Sequence, residues 1–218
     1  MVVDHRALQS PVRDQGKTRS TCVGFAVSAA HEWMAAEEVD LSPEDAIWAG
    51  HQSGGPPREE RTTVQLALEG LAIHGHAWEL AWPYGDPCWP ANRPPAASLH
   101  AHQCELPRWS ELVPATLTAI EQALSAGLAV MLSLRVVPGA WQRPFQPEVG
   151  GLVDAPARRV VRGGHAVLAV GVVDNQQAGR RAIVKNSWGL EWGVSGYGFL
   201  TERYLDAYLK RAFLLERA

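Results

Sequence analysis

The sequence predicts an α+β fold, with a helical first half followed by a β-rich second half. Two observations carry this. Apolar residues recur every three or four positions between Val23 and Leu71, with capping residues ahead of each run. Beyond Leu128 the pattern changes to short, continuous apolar runs bounded by Gly and polar turns. No internal repeat is visible, and 218 residues suffice for one large domain or two lobes around a cleft.

The first helix follows a polar, Gly-containing loop, Asp14 to Thr21. Ser20 or Thr21 can cap it by accepting a hydrogen bond from a free backbone N–H. Val23, Ala26, Val27, Ala30, Trp33 and Met34 then form one buried stripe. A second helix starts at Ser42 as cap with Pro43 in the first turn, and Gln52 to Pro57 is a loop. A third follows Thr62 or Thr63, with Val64, Ala67, Leu68 and Leu71 on one face and a stop at Gly75. His74 and His76 flank that glycine and are expected at the surface. With prolines at 83, 87, 90, 94, 95 and 107, residues 83–107 read as irregular connecting chain.

In the second half, Pro114 to Ser125 reads as a helix ended by Gly127, and Leu128–Leu134 as a buried strand. Residues 138–162 form a long loop. His165–Val173 and Arg181–Lys185 are two strands joined by the turn Asp174 to Gly179, and Gly196–Leu200 is a last strand of the same sheet.

The charged fraction of 20% and the net charge of −3, with signs mixed, leave no nucleic-acid footprint. No apolar run approaches the roughly 18 residues of a membrane span. The start Met1-Val2-Val3-Asp4-His5-Arg6 is not that of a signal peptide, so a cytoplasmic location is the default expectation. Three cysteines, Cys22, Cys88 and Cys104, build no disulfide framework.

Cys22 falls in the first helical turn, where unpaired N–H groups and the positive end of the helix dipole favour a thiolate. A lone helical cysteine is more often core than nucleophile. Two later stretches change that balance: Gly163-Gly164-His165-Ala166-Val167 and Asn186-Ser187-Trp188-Gly189-Leu190-Glu191-Trp192-Gly193. With Gln15 they offer a nucleophile, a base, an amide to orient that base, and an oxyanion donor. On these residues the chain resembles the papain-like cysteine peptidases, including their bacterial, intracellular-type members.

The resemblance implies a papain-like two-lobe fold over nearly the whole chain. A helical lobe would span residues 13–108 and a β-barrel-like lobe residues 109–218, with residues 1–12 packing on the latter. Val3-Asp4-His5-Arg6 resembles the V-D-W-R at the start of the mature family domain, Trp82-Pro83-Tyr84 its Y-P-Y, and Gly150 to Val153 a strand start. The resemblance also implies an inhibitory propeptide ahead of this start, and the expectation is either that it has been trimmed away or that a separate inhibitor or regulatory partner restrains the protein.

By the same resemblance, Cys22 attacks a peptide carbonyl and forms a thioester that water then hydrolyses. His165 is the acid and base, Asn186 fixes the imidazole ring, and Gln15 joins the Cys22 N–H in holding the oxyanion. Trp188 shields the His–Asn bond and lines the leaving-group side. Ala166 lines the main specificity pocket, and its small size leaves room for a bulky substrate side chain. Neither a metal nor an organic cofactor is implied, and the partner is a peptide or protein substrate.

The sequence departs from the family pattern in three places. One extra residue separates Gln15 from Cys22, Val23 replaces a tryptophan, and the glycines that bind substrate backbone have no counterpart. Two other functions use the same chain: a precursor-specific maturation peptidase or peptide ligase working through the same thioester, and a catalytically silent module that binds partners. A rival site, Cys88, His100, His102 and Cys104, has the residue types of a structural zinc clamp but not a standard spacing. Arg58 to Arg61 reads as a solvated turn.

Overall fold

The computed structural model describes residues 3–35, 39–54, 60–85, 92–101, 104–141, 151–155, 160–175 and 179–217. Four helices fill the first half: α1 (Cys22–Ala35), α2 (Pro43–Gln52), α3 (Val64–His74) and α4 (Pro95–Ala101). Their starts follow local chemistry. Ser42 caps α2 by accepting from the Asp45 N–H at 3.2 Å, and Thr63 caps α3 by accepting from the Leu66 N–H at 3.2 Å. Gly75 ends α3 at φ +67°, in the left-handed region that glycine adopts without strain. Gly24 lets α1 and α2 approach closely, since a Cβ there would stand 2.5 Å from the Pro43 carbonyl oxygen.

The strands are β1 (Val3–Asp4), β2 (Trp109–Glu111), β3 (Ala129–Arg135), β4 (Leu152–Val153), β5 (Gly164–Asn175), β6 (Gly179–Lys185), β7 (Tyr197–Thr201) and β8 (Leu209–Leu215). They form one sheet in the order β2-β8-β3-β5-β6-β7-β4. All pairings are antiparallel except β4 with β7. β1 pairs with β5 along the edge that β3 vacates, with Val3 opposite Val172. Gly171 permits this, because a Cβ there would meet the Val3 carbonyl oxygen at 2.4 Å. The start of the chain therefore lies on the sheet.

Residues of β5 alternate between two cores, with the phase shifted by one position at the bulge between Ala169 and Gly171. Ala166, Leu168 and Val170 join α1, α2 and α3 in one core. Val167, Ala169 and Val172 join α5 (Leu117–Ser125) and α6 (Glu202–Tyr208) in the other. A strand buried on both faces explains why β5 reads as one unbroken apolar run.

Several expectations need correction. α5 begins at Leu117 and not Pro114, because Thr116 supplies the cap. α4 lies within the stretch expected to be irregular, since Pro95 occupies a first-turn position that tolerates proline. α6 and β8 had no counterpart in the sequence reading, although β8 is an inner strand. His76, expected at the surface, is completely buried.

Candidate active site

Cys22 opens α1, and the loop before it is fixed at several points. Arg19 pairs with Glu44, which is completely buried, and with Glu60 at 2.8 Å. The Arg19 guanidinium also lies 4.7 Å from the centre of the Tyr84 ring. The Tyr84 hydroxyl donates to the Gln15 carbonyl at 2.7 Å and receives a hydrogen bond from Thr21 Oγ1 at 2.8 Å. Thr21 stands at the cap position, but its hydroxyl serves Tyr84. The extra residue between Gln15 and Cys22 is thus held in a braced loop.

Gln15 ties this loop to the second half of the chain. Its N–H donates to the Ser187 carbonyl at 2.8 Å, and Ser187 Oγ donates to Gln15 Oε1 at 2.6 Å. Gln15 Nε2 donates to the Arg19 carbonyl at 2.8 Å, which leaves its other hydrogen available.

His165 lies near the start of β5 and is buried. Its Nε2 is 2.7 Å from Asn186 Oδ1, which also accepts from the Ser187 N–H at 2.8 Å. Because Oδ1 only accepts, Nε2 carries the hydrogen and Nδ1 is left as the basic nitrogen of the neutral ring. Trp188 stacks at a tilt 4.7 Å from the imidazole, and Trp141 meets it edge-on at 5.3 Å. Trp141 Nε1–H in turn donates to the Tyr204 hydroxyl at 2.6 Å. These indoles keep water from the His165–Asn186 bond.

The backbone of Ala166, the residue after His165, lies close enough to the Cys22 thiol to favour its thiolate. Cys22, His165, Ala166, Gln15 and Trp188 line one open cleft of about 490 Å³. Asn186 stands behind the imidazole and does not line that cleft. All six candidate residues are therefore brought together.

Burial pushes the Cys22 thiol up, against smaller opposing pulls from backbone hydrogen bonds of Ala166, Val23 and Cys22 itself. Burial likewise lowers His165 to about 4, with the Asn186 hydrogen bond acting in the opposite sense. The helix-terminus argument from sequence omitted this desolvation. Charging either group alone is costly here, whereas moving the proton from sulfur to Nδ1 creates two opposite charges that offset each other.

Tyr84, Trp141 and Ser187 escaped the sequence reading as site residues. Ser187 was within the quoted motif, and Tyr84 within another, but their partners are remote in sequence. Of the rival zinc set, Cys88 and His102 lie outside the described residues. Cys104 is buried 3.6 Å from His31 Nε2, and His100 stacks on Trp78 with ring centres 4.7 Å apart. Among the described residues, no three His, Cys, Asp or Glu side chains are grouped to hold a metal ion.

With this geometry in hand, comparison with known proteins is informative. A family model described as papain family cysteine protease matches residues 79–207. An uncharacterised peptidase-like protein of Acanthamoeba polyphaga mimivirus is 49% identical over 87 residues, which are 39% of this chain and 26% of that protein. A cysteine proteinase of Theileria annulata is 26% identical over 196 residues, 86% of this chain and 40% of that protein. The chain thus spans less than half the length of these relatives. Among solved structures, xylellain, a cysteine protease from Xylella fastidiosa, superposes with a TM-score of 0.80 at 22% identity, covering 100% of this chain and 86% of that one. A bromelain protease from Ananas comosus, bound to an inhibitor, gives 0.74 at 16%, covering 100% and 99%.

Proposed function

This chain belongs to the papain family of cysteine proteases, and on that premise we propose that it hydrolyses peptide bonds in peptide or protein substrates through a thioester on Cys22. The observation that carries the reading is the His165 Nε2–Asn186 Oδ1 bond at 2.7 Å, behind a cleft that Cys22 and His165 both line.

In this mechanism His165 Nδ1 takes the thiol proton as Cys22 Sγ attacks the substrate carbonyl carbon. The negative charge moves to the carbonyl oxygen, where the Cys22 N–H and Gln15 Nε2 donate to it. Collapse expels the amine, which leaves with the proton from Nδ1, and the acyl group remains on sulfur. Water then attacks the thioester while Nδ1 accepts its proton. A second collapse returns that proton to sulfur and releases the carboxylic acid. Asn186 holds the ring so that Nδ1 faces sulfur throughout, and Trp188 and Trp141 keep the supporting bond dry.

The experiment is cleavage of a denatured protein and of fluorogenic peptides by the native chain and by Cys22→Ala. Turnover should vanish in the variant while its circular dichroism spectrum is unchanged. Full activity in Cys22→Ala would overturn the assignment.

A further inference from the structure

The protein carries a net charge of −3, yet the charged side chains described in its cleft lining are arginines. Arg19, Arg61 and Arg162 line it, and no Asp or Glu is among the described lining residues. Arg19 is spent on two carboxylates, Glu44 and Glu60, so that group adds no positive charge to the cleft. Arg162 is different. It is exposed, and among the described residues its guanidinium has neither an ion pair nor a hydrogen bond.

The backbone of Arg162 is nonetheless fixed. Its N–H donates to the Val136 carbonyl at 2.8 Å, and the Val136 N–H donates to the Gly163 carbonyl at 3.2 Å. These bonds continue the β3–β5 ribbon past Arg135, so the side chain springs from an ordered rim three residues before His165. Arg61 reaches the same cleft from the helical side, just ahead of Thr62 and Thr63. A guanidinium at the rim of a cleft attracts carboxylates and repels ammonium groups, and it can bind a carboxylate through two parallel hydrogen bonds.

We infer that the cleft selects peptide segments carrying Asp or Glu near the cleaved bond, with Arg162 as the selecting residue. This deepens the peptidase reading and rests on it for the cleavage step alone. Recognition precedes chemistry, so binding can be tested apart from turnover.

The test uses a peptide cleaved by the native protein or, failing that, one selected for binding to Cys22→Ala. Glu, Gln or Lys is placed at one position at a time on both sides of the central bond. Fluorescence anisotropy with Cys22→Ala should show Glu peptides binding on the order of tenfold tighter than their Lys counterparts at the responsive position. The preference should shrink at about 0.5 M salt. Adding Arg162→Gln should reduce the ratio, and Arg162→Glu should bring it to unity or reverse it. In the active protein, the Glu-to-Lys ratio of kcat/KM should follow the same order.

Equal binding of all three peptides at every position would overturn the inference. So would a Glu preference that survives intact in the Arg162→Glu variant. A Glu preference in binding with no cleavage by the active protein would support this inference and count against peptide hydrolysis.

Discussion

Ser187 Oγ lies 2.6 Å from Gln15 Oε1 and donates to it, although the two residues are 172 positions apart in sequence. This bond decides which end of the Gln15 amide faces the oxyanion. With Oε1 held by a donor, Nε2 donates to the Arg19 carbonyl and keeps one hydrogen for the oxyanion of the proposed mechanism. Ser187 is thus a positioning residue for Gln15. Gln15→Ala should lower kcat by about a hundredfold or more, as loss of one oxyanion donor does elsewhere. Ser187→Ala should cost about tenfold in kcat with little change in KM, because the amide remains but is free to rotate. Steady-state kinetics on one peptide checks both, and a Ser187→Ala effect confined to KM would contradict the positioning role.

Asn186→Ala should separate acid–base chemistry from the nucleophile. The imidazole loses its anchor, so turnover should fall about tenfold or more. The sulfur remains beside the Ala166 backbone, so alkylation of Cys22 by a small epoxide or iodoacetamide should persist. Mass spectrometry of the labelled protein, set against kcat, checks this split.

The acid limb of the rate profile should lie low. His165 can accept a proton only when neutral, and burial lowers it to about 4. Accordingly kcat/KM should hold as pH falls through the ordinary imidazole range near 6.5 and be lost near pH 4. Brief assays between about pH 3 and pH 8 would reveal the limb. A midpoint near 6.5 would mean that a charged His165 is tolerated in the cleft.

Stability should fall with acid over a wider window. His31 and His76 are both lowered to about 3 by burial, and their Nδ1 atoms lie 3.1 Å apart. In the unfolded chain these imidazoles take up protons near 6.5. Between about 6.5 and about 3 the unfolded chain binds protons that the folded one refuses. Their contribution to stability is therefore complete above 6.5 and is lost as pH falls toward 3, on the order of a few kcal/mol. Urea midpoints at stepped pH values would show the decline, and a flat curve from pH 7 to about pH 4 would refute it.

Arg19→Met should destabilise the protein by about 3 kcal/mol, because it strands the carboxylate of Glu44 in the interior. Adding Glu44→Gln should recover part of that loss, since no charge then remains unpaired. A double-mutant cycle in urea denaturation measures the coupling. An additive result would mean that Glu44 finds another partner.

Much of this was legible in local chemistry. The caps Ser42 and Thr63, the stop at Gly75 and the buried run of β5 follow from signals within a few residues of each other. So does the motif around Asn186, whose bond to His165 the resemblance to papain-like peptidases implied. What stayed hidden depends on distant partners. Tyr84 braces the Gln15 loop from 69 positions away. Trp141 reaches His165 from a stretch that reads as plain loop. His76 sits beside a glycine turn, a surface signal, yet its ring is drawn inside by Ser42 and His31. β8 was missed because Leu209–Leu215 mixes charged and apolar residues without alternation, and only its place between β2 and β3 makes it a strand.

The seam between α1 and β5 has a practical corollary. Sulfur and imidazole are mounted at the ends of two elements that share a single oily interior. Loosening at the periphery alone should leave them together. Heat inactivation and global melting should therefore coincide as one cooperative event, leaving no warm, structured but lifeless intermediate.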